Sequence, residues 1–140
     1  MDHLMTVIVT WLSLNYGLPA HYEHPSIEFL PEESIHRIHY GPTHSGKGSR
    51  VVAVYDVSGI RILLPQYWKA TSPADVSALV HEMVHHLQRH AGMTYACAGA
   101  REKLAFAAQE KWLERFGTDL DREFELDDFT LKVMTTCPLP

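Results

Sequence analysis

The 140-residue chain has no apolar run near the about 20 residues that span a bilayer, for the longest early one, residues 4–14, is interrupted by Thr6, Thr10 and Ser13. No membrane span is expected. A secretory leader also fits poorly, because Asp2 stands where such a leader carries Lys or Arg, and no small-residue cleavage site follows. Basic residues are few, 12 Lys and Arg against 17 Asp and Glu, and the resulting charge of -5 lacks the clustered positive footprint that nucleic-acid recognition requires. Cysteine is scarce too. Cys97 and Cys137 lie far apart, and their spacing leaves open a disulfide in an oxidising compartment or two cytoplasmic thiols, so localisation stays undecided between cytoplasmic and extracytoplasmic. No internal repeat is present.

A composition of 46% hydrophobic and 21% charged residues over this length is that of a single globular domain, residues 1–140, with one core. His3, Thr6, Thr10 and Ser13 recur at helical spacing and predict an amphipathic first helix. Gly17-Leu18-Pro19 ends it. Residues 27–30 read as a strand, a short helix through Ile35 and Ile38 follows, and residues 40–49, rich in Gly, Ser and Pro, read as a loop. Residues 51–57 and 60–64 are rich in β-branched side chains and flank Ser58-Gly59, which predicts an antiparallel hairpin.

Ser72-Pro73-Ala74-Asp75 then places a capping hydroxyl, a first-position proline and a first-turn carboxylate, so a helix is expected from there towards Gly92. Two more helices are expected over residues 96–116 and 120–134. The order of elements makes the class α+β.

Inside the expected motif helix stands His81-Glu82-Met83-Val84-His85, an HExxH sequence. Residues four apart lie about 40° apart around a helix and one turn along it, so both imidazoles can meet one ion from one face. Glu82, about 100° round from His81, can hold and deprotonate a metal-bound water without ligating the metal. Ten histidines raise the odds of a chance match. The context lowers them: the motif follows a hairpin and sits on a capped helix whose Val76, Val80, Val84 and Leu87 share an apolar flank.

Catalytic zinc takes three protein ligands and a water, so a third ligand is needed. Gln88 and Ala91 occupy the positions where a metzincin has glycine and histidine, and His90 lies round the helix from His81. Glu102, on the next helix after a short turn near Gly92, can reach back to the same ion, and its small neighbours Ala98, Gly99 and Ala105 favour close helix packing. Glu110 and Glu114 lie too far along.

With these residues in place, the sequence resembles the gluzincins, in which HExxH is followed on a later helix by a ligand glutamate. The stretch over residues 78–88 looks like the motif helix of small bacterial zincin-like proteins, and Glu102-x-x-Ala105 with Gln109 extends the likeness over residues 60–113. The resemblance implies a minimal zincin-like fold, with a small mixed sheet packed on the HExxH helix, further C-terminal helices, and a strand at residues 60–64 bordering a substrate cleft. It further implies Zn2+ as cofactor and a peptide or protein substrate. Gly117-Thr118-x-x-Asp121 resembles an element of another zincin group, the aspzincins, which keeps Asp121 as a rival ligand, although that element's later tyrosine and glycine are missing.

Residues 41–47 imitate a P-loop but end in Gly48, and a strand instead of a helix follows, so nucleotide binding is set aside. The acidic run over residues 119–128 reads as a solvated helix start. Tyr67 and Tyr95 are both eligible to stabilise an oxyanion, and nothing selects between them. Two functions follow: a zinc metallopeptidase with His81, His85 and Glu102 on the metal and Glu82 as catalytic base, or a zinc-binding module that hydrolyses nothing.

Overall fold

The computed structural model describes residues 1–41 and 53–140. The P-loop-like segment, most of the 40–49 loop with His44, and the first residues of the 51–57 strand therefore lie outside the described residues. Helix α1 (Asp2–Tyr16) buries Met5, Ile8, Val9 and Leu12 at helical spacing and stops at Gly17, whose φ of 68° needs no Cβ and whose N–H donates to the Ser13 carbonyl. Strand β1 (Ser26–Leu30) and helix α2 (Glu32–Tyr40) follow, then β2 (Val54–Asp56) and β3 (Arg61–Pro65). Helices α3 (Pro73–His90), α4 (Ala98–Glu114), α5 (Leu120–Phe124) and α6 (Asp128–Thr135) complete the described α+β fold.

The sheet order is β1-β3-β2, with β1 parallel and β2 antiparallel to β3. Side chains of β3 alternate between two apolar layers. Ile62 and Leu64 face the main core with α1, α3 and α4, while Leu63 joins Ile35 of α2 and Val54. Residues 62–65 are all buried, the pattern of a central strand covered on both faces. In the main core Trp11 of α1 meets Trp112 of α4 edge to face at 5.2 Å.

Three expectations need correction. The turn between β2 and β3 holds four residues, because Asp56 pairs with Arg61, and Ile60, not a glycine, takes the positive φ of 49°. Gly59 leaves room for an ion pair: a Cβ there would come within 3.0 Å of Arg61 Nε and 3.2 Å of Asp56 Oδ2, which lie 2.7 Å apart and would have to shift by a few tenths of an ångström. Second, the helix expected over residues 120–134 is two. Glu125 turns left-handed at φ 56° and closes α5, and Asp127 caps α6 by accepting the Thr130 N–H at 2.8 Å. The acidic run thus carries two helix starts, with Asp119 capping α5 in the same way through the Arg122 N–H.

Third, the strand at residues 60–64 lines neither of the two cavities beside the histidines. It is the middle strand, and β1 and β2 are the edges among the described residues. No helix among the described residues is long and apolar enough to cross a membrane.

Candidate metal centre

The chemistry begins with how α3 is started. Ser72 Oγ accepts the Asp75 N–H at 3.2 Å, Asp75 Oδ2 accepts the Lys69 N–H at 2.8 Å, and the Trp68 indole donates to the Asp75 carbonyl at 2.7 Å. These contacts set the helix's rotation about its axis, and burial of Val76, Leu79, Val80, Met83, Val84 and Leu87 holds it. With that flank in the core, His81 and His85 look towards α4. The turn after α3 passes through Gly92 at φ 67°, and α4 starts at Cys97, whose Sγ accepts the Ala100 N–H at 3.4 Å.

Glu102 meets both histidines. Its Oε2 lies 2.8 Å from His81 Nε2 and 3.1 Å from His85 Nε2, and the three atoms all lie within 4.8 Å of one another. The far side of each ring is tied off by a glutamine. Gln109 Nε2 donates to Ser77 Oγ at 3.2 Å, and that hydroxyl gives its own proton to the Ala74 carbonyl at 2.7 Å. The amide's oxygen therefore faces His81 Nδ1, at 2.9 Å. Gln88 Nε2 donates to the Arg101 carbonyl at 3.3 Å, which turns its oxygen to His85 Nδ1 at 3.0 Å.

Each neutral imidazole is thereby fixed as the Nδ1–H tautomer, with the Nε2 lone pair aimed at Glu102. Three lone-pair atoms at one point repel unless a proton or a cation lies among them. Without metal, protons serve. Burial opposes a second proton on His85, but the hydrogen bond to Glu102 and the charge of Glu82 outweigh it and raise the pKa. Burial likewise works to raise the Glu102 carboxyl, yet its hydrogen bonds to His81 and His85 prevail and hold it well below the usual carboxylate range. A divalent cation would take the place of those protons, and the donor set of two imidazoles and one carboxylate suits Zn2+.

Glu82 is only 8% exposed, and its Oε2 is buried without a hydrogen-bond partner among the described residues. Burial pushes its carboxyl up against the opposing pull of His81 and His85. A buried carboxylate without a full set of donors is costly unless it has a ligand to serve. It opens onto a cavity of about 310 Å³ shared with His81, Gln109, Phe106, Val54 and His39. A second cavity, of about 390 Å³, reaches the site on the His85 side. Edge strand β2 contributes to both, Val54 to the first and Tyr55 to the second.

His81, His85 and Glu102 thus meet, Glu82 shares a cavity with His81, and Asp121 does not join the three: it is exposed on α5. Glu110 accepts the Leu120 N–H at 2.8 Å and Glu114 is exposed. His86 is buried away from the site, its Nε2 bonded to the Glu23 carbonyl at 2.7 Å and its Nδ1 to the Tyr55 hydroxyl at 3.0 Å. His90 turns back to the His86 carbonyl. Of the two tyrosines, Tyr95 lines the second cavity and Tyr67 neither.

Gly99 does not serve the α3–α4 contact expected of it. A Cβ there would stand 2.8 Å from the Met134 carbonyl, so the glycine admits α6. Sequence reasoning missed His39, which lines the first cavity with Glu82, and the two glutamines as orienting groups. Gln88 and Gln109 were findable, since each sits one helical turn from a histidine it must hold or from Ala105 on the ligand face. His39 had no such signal, for only the fold brings α2 to the cavity.

Cys97 and Cys137 form a disulfide that ties the residues after α6 to the start of α4. Residues 1–139 match the family described as a domain of unknown function, DUF6647, and the chain belongs to that family. No curated protein and no solved structure matches it.

Proposed function

We propose that this DUF6647 member is a zinc-dependent metallopeptidase of the gluzincin type, with His81, His85 and Glu102 holding Zn2+ and Glu82 as catalytic base. The observation that carries the reading is the convergence of two Nε2 lone pairs and a carboxylate oxygen beside a buried, unsatisfied Glu82. Bound zinc supplies a Lewis acid and lowers the pKa of its water towards about 7.

The chain's own residues do the rest. Gln109 and Gln88 hold the imidazoles in the ligating tautomer, and such outer contacts keep the ligands oriented. Phe106 packs edge to face on the His81 ring at 4.6 Å and limits its rotation. Glu82, with its carboxyl raised by burial, takes a proton from water and returns it to the leaving amine. The exposed His39 lines the same cavity as that carboxylate and can donate a hydrogen bond to a developing oxyanion. Among the described residues strand β2 has an unpaired edge, on which an extended peptide can add, and its residues line both cavities.

A zinc module without turnover calls for a fourth protein ligand, and among the described residues none joins the three. The test is a set of variants followed by metal content and peptide cleavage. Zinc raises the Tm of the wild type; Glu82→Gln keeps zinc and loses about 10²–10⁴-fold in turnover. Glu102→Ala loses zinc affinity. Full turnover in Glu82→Gln, or undiminished zinc binding in Glu102→Ala, overturns the assignment.

A further inference from the structure

The cavity on the His85 side differs in charge from the chain that forms it. The protein carries a net charge of -5, yet among the described residues no Asp or Glu lines this cavity, and two arginines do: Arg89 from the last turn of α3 and Arg101 from the first turn of α4. Among the described residues neither guanidinium forms an ion pair, whereas Arg61 and Arg122 are each committed to carboxylates. Arg89 stands close enough to the Tyr55 hydroxyl on the cavity wall to oppose the upward push of burial on that phenol. The Arg101 carbonyl accepts from Gln88, the residue whose oxygen holds His85, and both arginines are exposed, so a ligand can reach them from solvent.

We infer that this cavity is a carboxylate-binding subsite, in which Arg89 and Arg101 receive a carboxylate of the substrate while the bond to be cut lies at the metal site. The inference rests on the metallopeptidase reading for the word substrate, and on the two arginines for the chemistry. Guanidinium groups bind carboxylates through paired, charge-assisted hydrogen bonds, and two of them converging from different helices bind better than either alone. Both arginines line the same cavity as His85, one from each side of the connection between α3 and α4. Tyr55 and Tyr95 add hydroxyl-bearing walls to the same cavity. The carboxylate is either an acidic side chain of a peptide or its C-terminal group, and the two sources are separable by experiment.

The test follows the side-chain Nε–H NMR signals of Arg89 and Arg101 in the zinc-loaded Glu82→Gln protein during titration with three small probes. Acetyl-glutamyl-leucinamide carries a side-chain carboxylate, acetyl-glycyl-leucine a terminal one, and acetyl-glutaminyl-leucinamide none. A saturable shift of both arginine signals is expected with one of the two acids and not with the uncharged amide, and which acid shifts them names the source. Arg89→Gln and Arg101→Gln each weaken that binding about tenfold while zinc affinity stays at the wild-type value. Equal shifts from the amide, no saturable shift from either acid, or undiminished binding in both variants overturns the subsite. Failure of the peptidase reading looks different: the arginine signals respond to an acid, and the wild-type protein with zinc cleaves no peptide.

Discussion

Helix α4 has two seams, and they are held in opposite ways. Against α3 it packs with buried Ala105, Ala108 and Gln109 on one side and an α3 that buries eleven of its 18 residues on the other. Against α6 it meets a helix with no buried residue, at a glycine, beside a disulfide. A metal site needs ligands fixed to a few tenths of an ångström, and dense apolar packing with tied-off hydrogen bonds provides that. The α6 seam presents no such chemistry. A covalent tie is enough to keep a poorly buried helix in place, because it removes freedom from the unfolded chain without needing a core.

The comparison can be broken at either seam. The largest effect is expected from Met83→Ala, which empties a fully buried position of α3 and should cost about 2–5 kcal/mol in chemical denaturation; a cost below that of any α6 substitution would reverse the ranking. Removing the disulfide with Cys137→Ser comes next. Its separation of 40 residues corresponds to up to about 4 kcal/mol by loop entropy. Amide exchange should then rise in α6 while zinc affinity holds, and a loss of zinc affinity would mean that the two seams communicate.

Gly99→Ala sharpens the contrast. Its new Cβ meets the Met134 carbonyl at 2.8 Å, an overpacking cost of about 1–3 kcal/mol that the helix preference for alanine only partly offsets. In the reduced protein α6 is free to move away and the cost should vanish, which paired melts with and without reductant would check. On the other seam, Gln109→Leu should keep the fold and weaken zinc about 10–100-fold, measured by competition with a chelator. The smallest effect is expected from Phe129→Ser on α6. That side chain is 76% exposed, and its loss should fall within about 0.5 kcal/mol.

The α3 half of the site was legible because several local rules agree there. The Ser72 cap, Pro73, the apolar flank and the four-residue histidine spacing all describe one helix, and that helix formed as read. Glu102 was legible once a second helix was expected to return after a short turn. Residues 120–134 misled because their helical periodicity continues through Glu125, while the left-handed turn there and the Asp127 cap are local choices that compete with it. The resemblance set the strand at residues 60–64 beside a cleft, and composition could not correct it, because apolar richness marks a strand without saying which neighbours it has. Five apolar-rich residues read the same at a sheet's edge and at its centre until the pairing on both sides is known.

By itself the sequence determined the α+β class, the capped motif helix and the pairing of His81, Glu82 and His85 on it, since these depend on contacts within one turn of helix. Only the tertiary structure decided that Glu102 and not Asp121 stands at the histidines, that Gln88 and Gln109 choose their tautomer, that His39 shares a cavity with Glu82, and that Cys97 and Cys137 are joined. Each of these depends on how separate elements cross, and a crossing is set by the shapes of whole packed faces, which a linear pattern does not specify.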